Sequence, residues 1–186
     1  MSRTTRAWAV ALTAVVVLVA IALGVGVMIG RQGTPGGAAR ASTQRPTSVE
    51  RDQLAPLFAL PNTTGETVAL SSLEGQVVLV NFWATWCPPC RDEMPVIQVT
   101  HEKYASRGFR VLAVNVQETS AQVEAYAREL GLTFPLLLDQ RGDVTQTYRV
   151  QNLPRSFFLD RQGRVVRIHP GELTTDTMEK YLKELL

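Results

Sequence analysis

Two thiols are available in this chain, Cys87 and Cys90, spaced CxxC within the segment WCPPC. A pair at that spacing can pass two electrons as dithiol and disulfide, or it can hold a soft metal. A purely structural staple would gain little from it. Closing so short a loop removes chain entropy worth roughly 2 kcal/mol, against roughly 3 kcal/mol for a 15-residue loop. Zinc needs four ligands, and His101 and His169 are the only histidines. A copper carrier could use both thiolates, but the four methionines are scattered and form no cluster. Redox exchange is the strongest reading. Cys87 stands where an apolar run gives way to a helix-like stretch, so it caps a helix whose free N–H groups and dipole favour a thiolate. Cys87 is then the attacking thiol. Cys90, one turn further in and more buried, resolves the mixed disulfide.

Pro88 and Pro89 tune the pair. With Cys87 as the cap they occupy the first two helical positions, and neither has an N–H to offer a thiolate. Cys90 and Arg91 are left as donors. Fewer donors raise the Cys87 pKa and make the disulfide relatively reducing. Pro89 also disfavours helical dihedrals at Pro88, which predicts an irregular first turn.

The elements that must position this pair read as an α/β domain. Val77 to Trp83 (VVLVNFW) is an apolar, β-branched run suited to a central strand covered on both faces. A helix follows to about Arg107, with Pro95 set to kink it and Gly108 to stop it. Phe109 to Val116 reads as a second strand, and Thr119 with Gln122 offers a capping box for a helix ending at Gly131. Phe134 to Leu138 is a third strand, followed by a short helix near Asp143 to Tyr148. Ser156 to Leu159 and Arg164 to Ile168 form a hairpin around DRQG, and Thr174 to Leu186 is an amphipathic helix. Upstream, Leu57 to Leu60 and Thr67 to Leu70 make a short hairpin flanking the sheet. Such an order implies a mixed sheet between helices.

The first thirty residues are different. No charged side chain lies between Ala7 and Gly30, and the run Trp8 to Ile29 would span roughly 33 Å as a helix, enough to cross a hydrocarbon core. Arg3 and Arg6 precede it, so the positive-inside rule places the N-terminus in the cytoplasm and the remainder outside, in a single-pass arrangement at the cell membrane. Ala39-Arg40-Ala41 offers a cleavage site for the alternative of a removed signal peptide. Residues 31–51, rich in Gly, Pro, Ser, Thr and Ala, read as a flexible linker, and 52–186 as the domain. Charge divides the same way: residues 1–51 carry six arginines against Glu50, net +5, and residues 52–186 carry thirteen bases against sixteen acids, net −3. A mildly acidic domain without a basic stripe gives no reason to propose nucleic-acid binding.

The segment VVLVNFWATWCPPCRDEMP resembles the active site of the thioredoxin superfamily, and specifically its membrane-tethered ResA/TlpA/CcmG-like group. The similarity extends from about Leu54 to the C-terminus. It implies a thioredoxin-like fold with an extra helix and strand between Val116 and Leu138. It also implies reduction of extracytoplasmic disulfides, notably in apocytochrome c, with electrons from a membrane thiol reductase and no cofactor. Residue by residue, Cys87 and Cys90 match the redox pair and Trp86 the tryptophan before it. Pro154 in NLPRSF matches the cis-proline facing the disulfide, with Leu153 offering its backbone to the client. Glu118 in VNVQET matches an active-site glutamate. Thioredoxins carry a buried aspartate where this chain has Asn81, which cannot titrate, so Glu118 is the available proton acceptor. Phe82 and Trp83 are read as core packing.

A peroxidase of the peroxiredoxin kind would need PxxxTxxC, but Val80 and Ala84 stand where its proline and threonine belong. A disulfide-introducing oxidase is the other redox alternative. From the uncharged run we expect the full chain to stay with membranes through a salt wash while protease reaches its C-terminus from outside. A shortened, soluble mature chain would overturn that expectation.

Overall fold

The computed structural model describes residues 48–186. The expected anchor at 1–30 and most of the linker lie outside the described residues, and among those described no helix is long and apolar enough to cross a membrane. The described chain runs β1 (Ala59–Pro61), β2 (Thr67–Ala69), β3 (Val77–Trp83), α1 (Pro88–Tyr104), β4 (Phe109–Val116), α2 (Ser120–Leu130), β5 (Leu136–Asp139), α3 (Asp143–Thr147), β6 (Arg155–Leu159), β7 (Val165–Pro170) and α4 (Thr175–Leu185). β1 and β2 form the separate antiparallel hairpin expected upstream. The main sheet has the order β5-β4-β3-β6-β7. β3, β4 and β5 are parallel, and β6 and β7 are antiparallel to their neighbours, so the sheet is mixed.

β3 lies at the centre and all seven of its residues are buried. Val77, Leu79 and Trp83 face a core shared with Met94 and Ile97 of α1, Val123 and Tyr126 of α2, and Met178 and Leu182 of α4. Val78, Val80 and Phe82 face the opposite core, built with Ala55, Leu70, Val144 and Tyr148. Alternation along the strand therefore supplies both layers, which is why the sequence shows an unbroken apolar run. Tyr148 ties the upstream segment to this second core by donating its hydroxyl to the Pro56 carbonyl at 2.8 Å. Val49 is buried in the same core, so the packed unit begins upstream of the expected boundary at 52.

Most boundaries follow the sequence chemistry. Thr119 and Gln122 form the reciprocal capping box at the start of α2, and Gly131 closes that helix at φ 62°. The third strand begins at Leu136 rather than Phe134, because Pro135 has no N–H for the ladder, although its carbonyl accepts from the Ala113 N–H at 3.1 Å. Pro95 lies inside α1, which continues to Tyr104. Its missing N–H deprives the Arg91 carbonyl of a helical partner. The Tyr126 hydroxyl approaches that carbonyl at 3.4 Å, while the Arg91 guanidinium lies over the Tyr126 ring.

Candidate active site

The central strand ends at Trp83, and the chain reverses through a turn in which the Cys87 N–H donates to the Ala84 carbonyl at 3.3 Å. Cys87 then caps α1 with extended dihedrals, and Pro88 and Pro89 fill the first two helical positions. The irregular first turn expected from Pro89 is not found; α1 is helical from Pro88 onward. Cys87 and Cys90 are joined as a disulfide with their Cα atoms 5.3 Å apart. Cys87 is 4% exposed and Cys90 fully buried, an order that suits attack by the first and resolution by the second. The N–H groups of Cys90 and Arg91, expected to serve the Cys87 sulfur, both donate to the Cys87 carbonyl at 3.1 Å. In this disulfide form the helix start spends its donors on the backbone.

The loop before β6 meets the redox turn from the other side. The Leu153–Pro154 peptide bond is cis, in the isomer that the resemblance implies. Antiparallel register pairs Phe82 with Arg155, which sets Pro154 beside the end of β3 from which the redox turn departs. Pro154 is buried and Leu153 half-buried, packed against both cores. Trp86, immediately before Cys87, is 67% exposed, whereas Trp83 is fully buried. One tryptophan therefore belongs to the surface of the site and the other to its core.

Glu118 is buried just beyond β4, and its carboxylate accepts from Asn115 Nδ2 and the Thr85 N–H, each at 2.7 Å, and from the Thr85 hydroxyl. No hydrogen bond links it to either cysteine. The second acid of the site, missed in the sequence, is Glu93. It lies three residues after Cys90 on the buried face of α1, and it is fully buried. One oxygen accepts from Asn81 Nδ2 at 2.8 Å and the other from the Leu173 N–H at 2.8 Å. Asn81 also donates to the Ser156 hydroxyl across the β3–β6 pair at 2.9 Å. Burial pushes the Glu93 carboxyl up to about 7; the Asn81 and Leu173 hydrogen bonds hold it lower than burial alone would. So Asn81 itself cannot titrate, but it presents a group that can. The helical spacing of Cys90, Glu93, Met94 and Ile97 was the available signal, since it puts an acid on an apolar stripe.

The AhpC/TSA family pattern matches residues 52–168, most of the described chain. The chain belongs to the AhpC/TSA family. Among its relatives, the thiol-disulfide oxidoreductase ResA of Bacillus thuringiensis subsp. konkukian (strain 97-27) is 36% identical over 131 residues, covering 70% of this chain and 76% of ResA. The thioredoxin-like protein YneN of Bacillus subtilis (strain 168) is 38% identical over 143 residues, covering 75% and 83%. A crystal structure of a thiol:disulfide interchange protein of the thioredoxin family from Chlorobium tepidum TLS superposes with TM-score 0.67 at 28% identity, over 74% of this chain and 99% of that one. The thioredoxin-like fold is thereby established, and this AhpC/TSA member is a thiol-disulfide oxidoreductase of the ResA type. Buried Val80 and Ala84 stand where a PxxxTxxC site would require proline and threonine.

Glu93 makes stability depend on pH with a definite sign. Its folded value, about 7, lies above the ordinary 4.5, so the native state holds the proton more tightly than the unfolded chain does. The stabilisation is complete below about 4.5 and is lost as pH rises through about 7. A Glu93→Gln variant removes that dependence. Denaturant titrations of the oxidised protein at pH 5 and pH 8 should show wild type losing roughly 2 kcal/mol or more relative to the variant between the two. Parallel pH profiles for the two proteins would remove Glu93 from this role.

Proposed function

We propose that this oxidoreductase reduces disulfides in client proteins on the outer side of the cytoplasmic membrane, apocytochrome c among them. In this reading the pair is recharged by a membrane thiol reductase. The observation that carries it is a CxxC pair whose first sulfur begins a helix with two prolines and whose second lies one turn from a buried acid titrating near neutrality. The uncharged run at Trp8 to Ile29 supports the tethered location. The ResA names among the relatives support the reductive chemistry.

Exchange begins when the Cys87 thiolate attacks one sulfur of a client disulfide and the other client sulfur leaves as a thiolate. Trp86, exposed beside Cys87, and the Leu153 backbone ahead of Pro154 receive the client segment. Cys90 then gives up its proton toward Glu93 and attacks the Cys87 sulfur, releasing the second client thiolate. Two electrons have passed to the client, and the protein is left with the Cys87–Cys90 disulfide. A membrane dithiol donor reverses that last state by the same exchange.

Direction is set by potential. The proline-started helix withholds N–H donors from the Cys87 thiolate, so we expect a value nearer thioredoxin's roughly −270 mV than the roughly −120 mV of a strong oxidase. Equilibrating the chain against a dithiothreitol or glutathione series and counting free thiols gives the number. A potential above roughly −160 mV would identify an oxidase and overturn the reductive reading.

The client is open to capture. Cys90→Ala cannot resolve, so in native membranes it should retain clients as mixed disulfides on Cys87, with apocytochrome c among the proteins released by reductant. A trap that retains no reductant-released protein would sink the client-reductase proposal.

A further inference from the structure

Glu118 is tied to the redox turn by its hydrogen bonds. Thr85 is the first inner residue of the turn closed by the Cys87 N–H and the Ala84 carbonyl. Both its backbone N–H and its hydroxyl donate to the Glu118 carboxylate, one to each oxygen. Asn115, fully buried at the end of β4 and paired in register with Trp83, donates to the same carboxylate from behind. Glu118 itself is fixed from both sides in sequence. Gln117 before it is left-handed at φ 60°, and Thr119 after it is the capping residue of α2. Three of the roughly four lone-pair positions of the carboxylate are thus occupied, and none of the three donors is a cysteine.

We infer that Thr85 is a positioning residue for client binding, and that the Thr85–Glu118–Asn115 cluster is a clasp fixing the turn that presents Trp86 and Cys87. This deepens the reductase reading above and rests on it. The clasp joins the turn after β3 to the end of β4, two segments that the sheet ladder no longer holds together beyond Trp83 and Asn115. Trp86 is the next residue after Thr85, and its exposed ring follows the turn's orientation. A rigid turn presents ring and sulfur to a client in one arrangement. A loosened one must be ordered each time a client docks, and that loss falls on binding.

The test uses the full chain, with insulin as the protein disulfide and dithiothreitol as the reductant. Thr85→Val removes one charge-assisted hydrogen bond at nearly constant volume. It should raise KM for insulin roughly tenfold with less than a twofold fall in kcat. Thr85→Ser keeps the hydroxyl and should restore KM to the wild-type value. The midpoint of the pH–rate profile should stay where wild type has it, because proton exchange belongs to Glu93. Glu118→Gln, which turns an amide N–H toward a donor, should reproduce the KM effect and carries the test if Thr85→Val does not fold. An unchanged KM in the folded variants, a displaced pH midpoint, or failure of Thr85→Ser to restore binding would overturn the clasp. Inactive wild-type protein would instead overturn the reductase reading on which the clasp depends.

Discussion

Burial of β3 on both faces is the constraint from which the rest follows. A strand covered on both sides must sit in the middle of the sheet, and all seven of its residues are buried, where a polar group is costly unless it is hydrogen-bonded. Asn81 carries an amide into this setting, and its N–H groups draw Ser156 of β6 and Glu93 of α1 together. The strand also ends abruptly. After Trp83 the chain turns, and the turn delivers Cys87 to a helix start and Cys90 to the core beneath it.

Burying Glu93 is unfavourable for its charged form, and the structure compensates only in part. Two N–H donors serve its two oxygens, yet the carboxyl still titrates near 7. A fully compensated acid would stay ionised, and one with no partners would stay protonated. Partial compensation leaves a group that exchanges a proton at neutral pH, one helical turn from the thiol that must lose one. Glu118 has a different set of partners. Its donors come from the turn and the neighbouring strand, and they serve to fix the backbone.

How far the sequence could be read depended on whether a feature was local. The central strand, the capping box at Thr119, the DRQG hairpin and the redox pair are each written in a few adjacent residues, and the structure has all of them. Glu93 is not legible in that way. In RDEMP it stands beside exposed Asp92 and reads as a second surface acid; its partners are 12 and 80 residues away. The three donors to Glu118 are likewise split between a turn and a strand, and Thr85, which supplies two of them, stands 33 residues away. The start of β5 was misplaced for a different reason: Phe134 is apolar and buried, but hydrogen bonding, rather than hydropathy, decides where a strand begins, and Pro135 cannot donate.

The prolines and the buried acid then act on different sulfurs. Pro88 and Pro89 withhold donors at the helix start, and the two N–H groups that remain are directed at the Cys87 carbonyl, so the Cys87 thiolate receives little backbone stabilisation. A less stabilised thiolate favours the disulfide, which makes the reduced pair a better electron donor. That alone would slow release, because the second step needs Cys90 to ionise in a buried, apolar setting where a thiol resists losing its proton. In the cycle proposed above, Glu93, one turn on along the same helix, takes up that proton. In that proposed cycle reducing power and turnover are adjusted at separate atoms, and α1 carries both adjustments in its first two turns.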